Sequence, residues 1–147
     1  MADVHSPATR SLNMSRIRGK DTKPELLVRQ YLHAHGLRYR LHDKKLPGTP
    51  DLVLPHYGTV VFVHGCFWHG HEGCRYFVVP KTRTEFWLNK IGRNVANDFR
   101  QHAELAARGW RVLTVWECEL RPPHREATLQ ALMQVISGPP EATQISN

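Results

Sequence analysis

Apolar residues cluster in two short runs in the middle of the chain, around Leu52-Val53-Leu54 and over 59–63, separated by His56-Tyr57-Gly58. Short β-branched runs joined by a turn predict a hairpin of two buried strands. Upstream, Thr22 and Glu25 have the spacing of a helix capping box, with Pro24 in the first turn. The helix they open carries Leu27, Val28, Tyr31, Leu32 and Ala34 as its apolar stripe, and Gly36 is its stop signal. The alternation Leu37-Arg38-Tyr39-Arg40-Leu41 predicts a half-buried strand, and the turn-rich 44–50 then delivers Asp51 to the start of the hairpin.

Downstream, Thr82 and Glu85 repeat the capping-box spacing. Trp87, Ile91, Val95 and Phe99 recur every fourth residue after it, which predicts a long helix ending at Gly109. The unbroken run over 110–116 reads as a central buried strand, and 126–136 as a weaker helix. This order predicts an α/β fold, a mixed central sheet flanked by helices. Residues 23–137 are expected to form one domain, 1–22 a basic arm and 138–147 a disordered tail.

Charge narrows the partners. Lys and Arg outnumber Asp and Glu by 20 to 13 in the 147 residues, a formal net charge of +7, which suits a polyanion such as nucleic acid. Arg16, Arg18 and Lys20 interleave with Met14 and Ile17 in the arm, as in a segment that lies along a groove of DNA. Lys90 and Arg93 add basic positions on the long helix. Neither a signal peptide nor a membrane-spanning run is visible, so a cytoplasmic, monomeric protein is expected, and three cysteines point to thiols or metal ligands rather than disulfides.

The candidate chemistry lies between Asp51 and Cys74. Cys66, His71 and Cys74 crowd one loop and Cys118 ends the last strand; together they make a Cys3His set for structural zinc, with His69 as the rival fourth ligand. Asp51 is expected beside His64 and His69 through the hairpin. There it would hold Mg2+ with a backbone carbonyl while a histidine relays a proton. Glu25 either caps its helix or faces the same cation. Phe67 and Trp68, joined by Trp87, are either core or rings that wedge between bases.

The segments LPGTPDLV at 46–53, HGCFWH at 64–69, TRTEFWLNKIGRNV at 82–95 and VWEC at 115–118 carry a more specific signal. With Asn13-Met14 and the 21–25 segment, the sequence resembles the very-short-patch repair (T:G mismatch) DNA endonucleases over nearly its whole length to Cys118. The resemblance implies a type II restriction-endonuclease-like core. It also implies an enzyme that nicks the thymine strand on the 5′ side of T in T:G mismatches left by 5-methylcytosine deamination, and so a functional link to a cytosine-5 DNA methyltransferase. It further implies that Asp51 and the carbonyl of Val63 bind Mg2+, with His69 as the principal catalytic histidine and His64 and Glu25 holding metal-bound waters. Zinc would sit at Cys66, His71, Cys74 and Cys118, Phe67, Trp68 and Trp87 would insert beside the mismatch, and the arm would grip the opposite groove. Restriction nucleases of this type carry an acidic residue and a lysine after the second strand; here Val63 and Gly65 stand there, so histidines must do the lysine's work.

Overall fold

A computed structural model describes residues 22–138. Helix α1 spans Lys23–Ala34; strand β1 is Arg40–Leu41, β2 is Leu52–Leu54 and β3 is Thr59–His64. Helix α2 runs from Thr84–Ala107, followed by β4 at Arg111–Trp116, a 3-10 turn at Glu117–Leu120 and helix α3 at Arg125–Ser137. The strands form one sheet in the order β1-β2-β3-β4. The first three are antiparallel and β4 is parallel to β3. A parallel pair needs a long crossover, and α2 is that crossover.

Strand periodicity assigns the two faces of the sheet. Leu52, Leu54 and Val61 pack with Val28 and Leu32 of α1 and with Leu129, Leu132 and Ile136 of α3. The intervening Val53, Val60 and Phe62 pack with Leu105 of α2. The result is three layers: α1 and α3, the mixed sheet, and α2. Among the described residues no helix is long and apolar enough to cross a membrane.

Four expectations change. The first strand shrinks to Arg40 and Leu41, both exposed, because Leu37 turns into the core just after α1. The run over 110–116 is an end strand among the described residues, and only Leu113 and Val115 of β4 are buried. α2 starts at Thr84, with Arg83 in the left-handed region and no side-chain cap, so the second capping box does not form. Its four-residue stripe is also not the buried face: Ile91 is 4% exposed but Phe99 is 81% exposed. Each four-residue step turns about 40° past a full helical turn, so three steps carry Phe99 about 120° away from Trp87.

The loop before Asp51 is pinned to the α2 layer. Gly48 has φ +76°, and a Cβ there would stand 2.9 Å from Gln101 Oε1 and 3.2 Å from Phe62 Cε1. Only glycine allows both that backbone turn and that approach.

Candidate active site and metal centres

The antiparallel β2–β3 pair sets the start of β2 beside the end of β3, and the parallel β3–β4 register aligns His64 with Trp116. Asp51, His64, Cys66 and Cys118 therefore collect at one end of the sheet.

Asp51 is buried, and its Oδ2 accepts the Val63 N–H at 2.7 Å. Glu25, 1% exposed, contributes half of the expected capping box: its N–H donates to Thr22 Oγ1 at 3.4 Å. Its carboxylate instead turns inward, with Oε2 2.7 Å from His42 Nε2 and 3.1 Å from Arg29 Nη1. Burial raises the Asp51 pKa to about 7; the Val63 N–H lowers it, and the neighbouring Glu25 carboxylate raises it further. Donor atoms of Glu25, His42 and Asp51 lie within 4.8 Å of one another. Two buried carboxylates at such range repel unless a proton or cation lies between them, so the donor set fits a hard cation.

His64 and His69 form a second group with Asp98, again within 4.8 Å. These histidines, expected beside Asp51, form their own donor set, and the Val63 N–H bond links Asp51 to the residue before His64. His64 is in phase with Phe62 and faces α2, where its ring meets Phe62 and His102, while Asp51 precedes β2 and its carboxylate gathers with Glu25 and His42. The His64 and His69 rings stack at 3.7 Å, 3° from parallel. His69 Nδ1 is 2.6 Å from Asp98 Oδ2. A carboxylate on Nδ1 fixes the tautomer and leaves Nε2 to take or give a proton. Burial pushes the His64 pKa down to about 2, helped by His69 and His102, so His64 is a neutral ring. Its Nδ1 and His102 Nε2 are buried without a hydrogen-bond partner among the described residues.

Asp98, His102 and His42 are absent from the sequence-derived site. The first two had a signal: Ile91, Asn94, Asp98, His102 and Leu105 follow the three-and-four spacing of an inward helix face, and three of the five are polar. His42 stands alone in a loop and offered none.

Past the strand ends, Cys66, His71, Cys74 and Cys118 place their donor atoms within 4.8 Å of one another. His71 Nδ1 lies 3.5 Å from Cys118 Sγ, and its ring stacks on Trp116 at 4.0 Å. His69, the rival ligand, is occupied by Asp98. Burial pushes the Cys66 thiol strongly up, so a thiolate at Cys66 needs a cation, and three sulfurs with one imidazole match a tetrahedral zinc set. Replacing Cys66, Cys74 or Cys118 by Ser should lower metal content and melting temperature together. Elemental analysis with thermal melts checks this; an unchanged metal content would remove the cluster from the account.

Phe67, Trp68 and Trp87 form a triangle of rings with centroids 5.2, 5.6 and 5.9 Å apart. All three are partly exposed and belong to neither core cluster. The Asn94 amide donates to the Trp68 carbonyl at 2.9 Å, fastening the loop to α2. Arg93 is exposed and Lys90 half-buried on the same helix, while Met14, Arg16, Arg18 and Lys20 lie outside the described residues.

A mixed α/β sheet whose one end gathers buried carboxylates, an aspartate-held histidine and a ring cluster carries the groups a metal-assisted nuclease requires, and the chain's relatives make the class a DNA nicking endonuclease. Comparison with known proteins makes the class specific. The chain belongs to the DNA mismatch endonuclease Vsr family, whose profile matches residues 2–75. It is 49% identical to the DNA mismatch endonuclease Vsr of Escherichia coli over 99% of this chain and 94% of that protein. It is 55% identical to the type II nicking enzyme V.XorIIP of Xanthomonas oryzae pv. oryzae over 82% of this chain and 88% of that protein. The type II nicking enzyme V.NmeAIP of Neisseria meningitidis serogroup A is 49% identical over 82% of this chain and 86% of its own length.

Proposed function

We propose that this protein is a Mg2+-dependent endonuclease that nicks the thymine strand on the 5′ side of T in T:G mismatches. It would act as a cytoplasmic monomer on a restriction-endonuclease-like core and repair lesions left by a cytosine-5 methyltransferase. The observation that supports the reading best is the buried Asp51–Glu25 pair standing beside the His69–Asp98 pair at one sheet end. Asp51, the Val63 carbonyl and Glu25 are the groups that would hold Mg2+, which when bound supplies neutralisation of phosphate charge and polarisation of water. His69 moves the proton at Nε2 while Asp98 holds its ring. His64 stacks on that ring and keeps its plane.

The zinc set, in this reading, braces the loop that carries Phe67 and Trp68. A T:G pair stacks less well than T:A, so opening the step beside it costs less, and inserted rings recover part of that cost. Replacing Phe67 and Trp68 by Ala should weaken T:G binding far more than matched binding. The salt slope should stay unchanged, because the phosphate contacts of Lys90, Arg93 and the arm's Arg16, Arg18 and Lys20 remain, with Met14 contacting DNA beside them. Unfolding or zinc loss with discrimination intact would mark the rings as structural.

Nick mapping tests the function itself. With each strand of a T:G duplex end-labelled in turn, one product should appear, from the thymine strand cut immediately 5′ of T. A cut on the guanine strand, or on both strands, would overturn the reading.

A further inference from the structure

The three-donor group at Glu25, His42 and Asp51 contains an imidazole that the Mg2+ reading does not use. His42 Nε2 lies 2.7 Å from Glu25 Oε2, close to the edge of about 3 Å between neighbouring ligands at octahedral bond lengths of roughly 2.1 Å. The loop holds that ring at a backbone cost. His42 has φ +48°, the left-handed region that a non-glycine residue occupies only at a penalty of about 1 kcal/mol or more. Its N–H donates to the Asp51 carbonyl at 3.2 Å, which ties the ring's position to that of the carboxylate.

We infer that His42 is a fourth protein ligand of the catalytic cation, beside Asp51, Glu25 and the Val63 carbonyl, and gives this site a preference for Mn2+ over Mg2+. The inference rests on the reading of Asp51 as a cation ligand. Mg2+ favours oxygen donors and holds its waters, whereas an imidazole beside two carboxylates favours first-row transition metals. The bland alternative is that His42 hydrogen-bonds Glu25 and orients it, as residues behind metal ligands do. The two roles differ in what touches the ion.

The test uses the full chain with its cysteine site filled by zinc, and Mn2+ alone as the probe. Mn2+ binding is followed by electron paramagnetic resonance, and Mg2+ by its competition with Mn2+. In the wild type, nitrogen modulation from one directly bound imidazole is expected on the Mn2+ signal. His42→Gln should abolish that modulation and weaken Mn2+ about tenfold, with Mg2+ affinity changed less than about twofold. If wild-type protein shows no bound nitrogen, or if His42→Gln weakens both ions alike, His42 only orients Glu25 and the inference is overturned. Should His42→Gln lose its fold or its zinc, His42→Asn takes its place in the same two measurements, and nitrogen modulation retained in that variant overturns the inference. Asp51→Asn separates the two levels: it should abolish binding of both ions, and wild-type Mn2+ affinity in that variant would sink the parent reading rather than the role of His42.

Discussion

Asp51→Asn should remove nicking while leaving DNA binding nearly intact. The substitution keeps the side chain's shape, and an amide oxygen can still accept the Val63 N–H that Asp51 Oδ2 takes at 2.7 Å. What it removes is the charge that a cation would balance. Loss of metal assistance costs several kcal/mol of barrier, roughly a thousandfold or more in rate. Single-turnover nicking and mismatch binding measured on the same preparation check the split; turnover like the wild type in Mg2+ would falsify the assignment of Asp51.

The same carboxyl ties stability to pH. Its folded pKa, about 7, lies above the ordinary aspartate value of 3.8, so its stabilising contribution is full below the unfolded pKa and is lost as pH rises through about 7. Cation-free protein should therefore lose melting temperature between about pH 4 and pH 7 from this group, and added Mg2+ should restore it. Asp51→Asn should flatten that part of the profile. Melts across the window, with and without the ion, measure it.

His69→Ala should cost activity by about a hundred- to ten-thousandfold, the range for removing a positioned acid or base. Binding should change little, since the ring is only partly buried and its strongest partner is Asp98 at 2.6 Å. Asp98 is a positioning residue, acting through His69. Asp98→Asn should lower the rate less than His69→Ala and shift the pH profile of the rate, because an amide facing Nδ1 no longer fixes the tautomer. Asp98→Glu should recover part of the loss. An unshifted profile, with the rate changed only through weaker DNA binding, would make Asp98 a structural residue of α2.

Local pattern made the hairpin, the first helix and the layer order legible, because alternating burial in β2 and β3 and the Thr22 cap are properties of a few consecutive residues. It made the Cys/His cluster legible for a similar reason: three of its members fall within a nine-residue stretch after β3, and Cys118 lies two residues past β4, which pairs with β3. Tertiary context decided the rest. The pattern shows the long helix as apolar residues at four-residue steps, but of these only Ile91 is buried; the helix packs through Ile91 and Leu105 and places Asp98 against His69 and His102 against His64. Asp51 is expected beside His64; His64, in phase with Phe62, meets His102 of α2, while the Asp51 carboxylate gathers with Glu25 and His42. His42 reaches Glu25 across seventeen positions of sequence, through a left-handed backbone that no local signal announces.

The most direct measurement of the central claim is the nicking rate on three otherwise identical duplexes carrying T:G, T:A or C:G at one position, each with Mg2+ and with chelator. Cleavage of T:G alone, only with Mg2+, and in the thymine strand alone is the predicted result. Equal cleavage of the paired duplexes, or full T:G nicking in chelator, would contradict it.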